Sequence, residues 1–426
     1  MKIAIVGTGV AGLSSAWLLN KHHDITVFES GDHIGGYANT VEVPGHPAID
    51  TGFITFNDRV CPNLIKLFEH FEITSVESDM TFSLSMNDKS YEYSTNALFT
   101  HKSNLFSPKH WGMLLQILKF NKAVENNHFD PEESLGHYLM RKKYSKSFAD
   151  RYLYPLVTTI WAMDFSKVAE FPMAVFANIF RKNGFHVLDK KQPHRWYTVG
   201  GGAFTYIDSL IEEFRDKICL NTRITDVIRH KDYVEIVQQG GRTELFEQVV
   251  LAVNCDEALK ILARPTADEK EVLGCFPHRK VKSYLHQDES FMPLNRQNWA
   301  GWNFMQRNDE DDPCVTKWIN LLQPFIDRGQ NYFITLNPPI EPKNILCETE
   351  YAFPQYSSSA AFGWHHLTNI QGIYRAWFCG PWCGYGFHED GLSAGLAVGE
   401  ALGGTERPWL VNETSSAGQN CRPSFE

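Results

Sequence analysis

The chain has no apolar run approaching the roughly 18 residues that a bilayer-spanning helix requires, so no spanning segment is expected. Cysteine is thin as a framework. The 426 residues hold nine, an odd number without a repeating spacing, which fits a reducing compartment better than a disulfide framework. Cys379 and Cys383 stand close together, but no second pair or histidine cluster completes a zinc site, and no metal is expected. Positive charge is in deficit. Lysines and arginines number 40 against 50 acids, a net charge of -10, which argues against nucleic acid as a general partner. There is no internal repeat and no long low-complexity tract. Met1, Lys2 and Ile3 run directly into an apolar strand, leaving no room for a leader peptide. The expectation is a cytoplasmic protein, on a membrane only as a peripheral one. The length allows two domains, each with its own core.

What is present begins with the first 36 residues. An apolar strand over residues 3–6 runs into Gly7, Gly9 and Gly12; a helix opens at Val10 and Ala11; a second apolar run over 25–28 ends at Glu29 and Ser30; Gly35 and Gly36 follow. Each glycine has a mechanical use. Gly7 makes the tight turn, Gly9 lets the backbone approach a pyrophosphate, and Gly12 lets helix and sheet pack closely. The helix start offers free N–H groups and a positive dipole end to phosphates. Glu29, twenty residues beyond Gly9, is placed to accept hydrogen bonds from a ribose, and its charge disfavours a 2′-phosphate.

Together with Tyr37 and the run Asp50, Thr51, Gly52, Phe53 and Ile54, this pattern resembles the two-dinucleotide-binding-domain flavoproteins. More narrowly it resembles the flavin-containing amine oxidoreductase superfamily, which includes phytoene desaturases and protoporphyrinogen oxidases. The resemblance implies FAD rather than NAD. It also implies an α/β fold: a Rossmann-like FAD-binding domain of the amine oxidase type with an interleaved α+β substrate domain. The expected FAD-binding segments are 1–95, 196–274 and 370–406, and the substrate-binding segments 96–195 and 275–369. Residues 407–426 are polar and expected to form a flexible tail. FAD contacts are implied at all the glycines named so far, at Val10, Ala11, Glu29, Ser30, Tyr37, Thr51, Phe53 and Ile54, and at Val227, where superfamily members set a backbone valine against the adenine.

Near the end, residues 376–380 read as a strand and a helix is expected from Gly391 to 402, with a glycine-rich turn between. This second helix start suits the flavin's pyrimidine edge. The resemblance implies contacts at Gly380, Trp382, Asp390, Gly391 and Leu392, although Pro381 and Trp382 stand where superfamily members carry an acid or threonine. The phrase from Gly384 through Tyr385, Gly386, Phe387, His388, Glu389 and Asp390 to Gly391 resembles a narrower group. With residues 34–40, 50–54 and 285–288, it is similar to flavoproteins that accompany, or are fused to, cyclopropane-fatty-acid-synthase-like lipid methyltransferases. Relatives of that group include fatty-acyl desaturases of furan fatty acid formation. The likeness implies a lipid or fatty-acyl substrate, and a lipid methyltransferase of the same pathway as partner.

Amine oxidases of the superfamily add an aromatic cage and a lysine near flavin N5. Phe387 falls where a cage tyrosine would sit, and Lys282 falls near the lysine. For proton handling the candidates are His388, Glu389 and Tyr385. Against them stands a structural reading in which His388 and Glu389 fix the loop and Asp390 caps the helix. The reading is an FAD-dependent oxidoreductase desaturating acyl chains. Its alternatives are an amine oxidase producing hydrogen peroxide, a redox-neutral double-bond isomerase, and a non-catalytic FAD-containing lipid or methyltransferase partner.

Two stretches belong to the second domain. Residues 98–124 mix Phe106, Trp111, Leu115 and Leu118 with Lys102, Lys109, Lys119 and Lys122, which reads either as a helix on a membrane surface or as an ordinary amphipathic helix. Residues 144–185 are rich in aromatics, among them Phe148, Tyr152, Trp161, Phe171, Phe176, Phe180 and Phe185, and are expected to form core with some pocket lining.

Overall fold

The computed structural model describes residues 1–86, 88–183, 195–308, 312–327 and 329–411. Phe185 and residues 412–426 lie outside the described residues.

The first sheet is parallel and runs in the order Ile218–Cys219, Asp24–Phe28, Lys2–Val6, Gln248–Leu251, Ala376–Phe378. Its central strands are unbroken apolar runs because both faces are covered. The helix Val10–Leu19 is buried on every side. It lies between this sheet and the last helix, His388–Ala401. Gly391, Gly395 and Gly399 recur along that last helix, and a Cβ at Gly395 would overlap the Ala11 carbonyl and the Ser14 hydroxyl. The two helices meet backbone to backbone.

The second sheet has seven strands, in the order Ile345–Pro354, His278–His286, Phe333–Leu336, Cys314–Trp318, Trp302–Gln306, Phe82–Met86, Tyr91–Ser94. One face turns to the apolar cluster of Ile54, Val281, Leu285, Ile334 and Leu336. The opposite face carries a buried polar ladder in which Ser83 donates to Asn303, and Thr316, Thr335 and His286 bond in series. The hairpin Phe82–Ser94 therefore belongs with the second sheet, and the expected boundary at residue 95 moves to before Phe82. Alternation identified the strands but carries no information about a partner more than 200 residues away.

The remaining helices pack beside the second sheet. Phe120, Phe148, Phe176 and Phe180 form an aromatic core between Pro108–Asn126 and Met173–Asn183, as expected of that stretch. Pro172 stands immediately before the second of these helices, where its missing N–H costs nothing. Residues 407–411 do not behave as a tail. Arg407 pairs with Glu400 through two nitrogens, and Trp409 stacks on Trp17 at 5.9 Å while donating to Asn63. Among the described residues no helix is long and apolar enough to cross a membrane, and no group of histidine, cysteine and acidic residues could hold a metal ion.

Candidate functional site

A cavity of about 670 Å³ runs from the glycine turn, past the start of the last helix, to the second sheet. It is within the size range of cofactor and ligand pockets. Gly7, Gly9, Val10, Ala11, Glu29, Ser30, Gly35, Gly36 and Tyr37 line one end, with Gly52, Phe53, Ile54, Gly380 and Asp390 beyond them. Glu29 accepts from Thr8 N at 3.0 Å, from the Thr8 hydroxyl and from Gly31 N at 2.8 Å, which fixes the carboxylate beside the turn. The glycines separate by function. Gly7 has φ 106°, and a Cβ at Gly12 would overlap the Gly7 carbonyl, so both are fixed by the fold. A Cβ at Gly9 would meet nothing within 4 Å, so packing does not require that glycine. The space it leaves open is the cavity itself, as a bound pyrophosphate would need.

Asp50 is buried and holds the loop that carries Gly52. It accepts from Thr40, from Ala203 N at 2.9 Å and from Gln323 Nε2 at 2.8 Å, and burial raises it to about 6 against these bonds. Thr51 lies behind this loop, bonded to Asn39 O and the Tyr351 hydroxyl, and does not reach the cavity. Tyr37 shares its hydroxyl with the Ala352 carbonyl and N–H, joining the cavity wall to the second sheet.

Five further residues expected to make contacts lie off the cavity wall. Gly12 faces the sheet rather than the cavity. Val227 is buried in a strand pair with its carbonyl taken by Ala263 N, and the cavity wall there is Thr222, Arg223 and Ile224, three residues earlier in that chain segment. Trp382 points away and donates to Val253 O at 3.1 Å. The last helix starts at His388, not Gly391, because Asp390 caps it by accepting from Phe387 N at 2.9 Å and Tyr385 N at 3.0 Å. Gly391 N is consequently bonded to Phe387 O, and Leu392 lies a turn inside. The N–H groups at the helix start that lack intrahelical acceptors belong to His388 and Glu389.

The proton-handling candidates meet different fates. Glu389 reaches under the helix Pro62–His70 and accepts from Asn63 N and Leu64 N, each at 2.9 Å, and from Asn63 Nδ2 at 3.0 Å. It caps that helix, and burial raises it to about 7. His388 stacks on Phe53 with ring centroids 3.9 Å apart and shares a 2.6 Å hydrogen bond with the Tyr206 hydroxyl. Burial lowers it to about 3, so the ring is a neutral pin. Tyr385 also lines the cavity, and its hydroxyl accepts from Asn178 Nδ2 at 2.6 Å. Trp161 donates to the Tyr385 carbonyl and packs near Phe387, closing an aromatic corner.

Lys282 does not line the cavity. It is more than half exposed and pairs with Glu348 at 3.0 Å, on the sheet face opposite Val281 and Ser283. A different lysine enters the cavity. Lys317, on the strand Cys314–Trp318, is 6% exposed, lies 4.8 Å from the Trp302 ring centroid, and burial lowers it to about 8. The signal was its spacing from Val315, two residues earlier on a strand with an inward apolar face. Lys182, from Met173–Asn183, also lines the wall.

Residues 5–71 match the family model of an NAD(P)-binding Rossmann-like domain. No curated protein matches the sequence. Among solved structures, a protein described as a protoporphyrinogen oxidase from Exiguobacterium sp. is 14% identical with a TM-score of 0.69, over 94% of this chain and 98% of that one. A CLA-producing fatty acid isomerase from P. acnes is 14% identical with a TM-score of 0.67, over 92% and 96%. Cyclohexylamine oxidase from Brevibacterium oxydans is 16% identical with a TM-score of 0.67, over 94% and 99%. The chain thus carries a Rossmann-like dinucleotide-binding domain within the fold of the FAD oxidoreductases of the amine oxidase type.

Proposed function

We propose that the chain is an FAD-dependent oxidoreductase that takes a hydride from an unsaturated or methyl-branched acyl chain. The observation that carries this reading is the cavity wall beyond the glycine turn. Ile54, Met80, Ile160, Trp161, Ile179 and Phe387 form it, a surface suited to hydrocarbon. When bound, the flavin supplies a two-electron hydride acceptor. The chain's own residues orient the acyl chain along this wall and keep water out. An allylic C–H is the expected donor, because an unactivated methylene gives up hydride poorly. The Tyr385 hydroxyl, steadied by Asn178, is the group through which the accompanying proton leaves.

An amine substrate fits less well. Lys317 and Lys182 on the wall repel an alkylammonium, Phe387 lacks the hydroxyl of a cage tyrosine, and Lys282 faces outward. A redox-neutral isomerase is the second reading, favoured by the fold likeness to the P. acnes enzyme. Product mass separates the two. Desaturation gives a product lighter by two hydrogens, whereas isomerisation leaves the mass unchanged; an amine converted to an aldehyde, with acyl substrates untouched, would overturn both.

The surface helix Pro108–Asn126 fits a lipid-facing role within this reading. Leu115 is 66% exposed, with Trp111 and Leu118 at helical spacing on the same side and Lys109, Lys119 and Lys122 on the same helix, and Phe106, 81% exposed, and Lys102 lie just before it. Apolar side chains ringed by lysines suit the surface of an anionic bilayer.

A further inference from the structure

The acidic groups on the cavity wall are all engaged. Glu29 is held by Thr8 and Gly31, Glu350 by Lys280 at 2.7 Å, Glu257 by Lys260 at 2.7 Å, Glu389 by Asn63 and Leu64, and Asp390 by Tyr385 and Phe387. Lys317 has none of them. Among the described residues its ammonium has no carboxylate and no hydrogen-bond acceptor, only the face of Trp302. Its cross-strand neighbours on the same sheet face are Trp302 and Ile334, with Leu285 next in the row. A lysine buried in such surroundings without a counter-ion is costly.

Two more donors on this wall lack acceptors. Asn57 is fully buried with its Nδ2 unbonded, and Trp302 Nε1 is unbonded as well. Those two N–H groups are shut off from the cavity by packing, so Lys317 is the cation on this wall to which the described residues offer no anion of their own. The glycine turn, where a diphosphate would lie, belongs to the other sheet.

We propose that Lys317 is the anchor for the carboxylate of a free fatty acid, so that the substrate is the acid and not its ester or phospholipid. This rests on the acyl-chain reading of the cavity and adds the head group to it. A carboxylate on Lys317 forms a charge-assisted bond in a dry site and fixes which carbons of the chain lie beside Tyr385 and Phe387. Registration from a fixed end would give a single double-bond position.

The test uses the flavin-loaded protein and equilibrium binding, read from flavin absorbance or Trp fluorescence. Wild type, Lys317→Met and Lys317→Arg are titrated with an unsaturated C18 acid, its methyl ester, and butyrate. Wild type is expected to prefer the acid to the ester by about tenfold to a hundredfold, the range of a buried charge-assisted bond. Lys317→Met should lose that preference with ester binding unchanged, and Lys317→Arg should keep part of it. Because an apolar residue replaces an unpaired buried charge, Lys317→Met is expected to melt no lower than wild type.

Equal binding of acid and ester by wild type overturns the anchor while leaving the acyl reading intact. So does a Lys317→Met protein that binds both ligands normally and reduces its flavin slowly with either, which would assign Lys317 to the reacting centre. Butyrate separates the remaining case. Lys317-dependent butyrate binding with no gain from a longer chain keeps the anion site and rejects the acyl chain.

Discussion

At the scale of single residues, the glycine turn divides into positions required by the fold and one required by a ligand. Gly12 abuts the Gly7 carbonyl, so Gly12→Ala should cost stability outright, read as a lower melting temperature of the flavin-free protein. Gly9 has φ -64° and empty space where its side chain would be. Gly9→Val should therefore fold normally and lose flavin, checked by the ratio of flavin to protein absorbance after purification. Equal flavin content in both would contradict the assignment. His388 gives a pH prediction. Its ordinary value of 6.5 is lowered to about 3 by burial, so the unfolded chain binds the proton first. Stability contributed by the neutral ring is present above about 6.5 and is lost as pH falls toward 3. His388→Phe should weaken the acid limb of a melting-temperature profile over that window, and an unchanged limb would argue against a buried neutral ring. His388 read both as a proton carrier and as a residue fixing its loop; the uses of Gly7, Gly9 and Gly12 were legible in the sequence because spacing along the chain fixes them. Lys317 was not, since whether a strand lysine faces in or out depends on register against strands far away, and Lys282 two strands over carried the more familiar local pattern.

At the scale of elements, the phrase from Tyr385 to Gly391 is a double cap. Asp390 ends the turn and starts its own helix, while Glu389 crosses to start Pro62–His70. Glu389→Ala should cost about 1–3 kcal/mol, the range for losing a buried acceptor at a helix start, in denaturant unfolding. The rate of flavin reduction per bound flavin should hardly change. A large rate loss with unchanged stability would return Glu389 to proton handling. The surface helix makes a second element-scale prediction. Replacing Leu115 and Leu118 by glutamate should leave the melting temperature within about 0.5 kcal/mol equivalent, since both side chains are exposed, and should release the protein from anionic vesicles in a sedimentation assay. Neutral vesicles should hold even the wild type weakly. The helix itself was readable from its periodicity, yet only burial separates Met113, Ile117 and Phe120, which face the core, from the outward stripe.

At the scale of the whole molecule, two sheets meet around one cavity, the first presenting a helix start to a dinucleotide and the second closing the site with strands and an aromatic corner. The glycine turn, the strand at 248–251 and the final strand and helix were each legible as elements, because each carries apolar or glycine signatures. The membership of Phe82–Ser94 was not, because its pairing is set by tertiary contacts with Trp302–Gln306. The central claim is that this cavity brings an acyl chain to a flavin. The most direct measurement mixes the flavin-loaded protein, without oxygen, with unsaturated and methyl-branched fatty acids and, separately, with primary amines, while following the oxidised flavin band. The account predicts bleaching by an acyl substrate and none by amines, whereas bleaching by amines alone would contradict it.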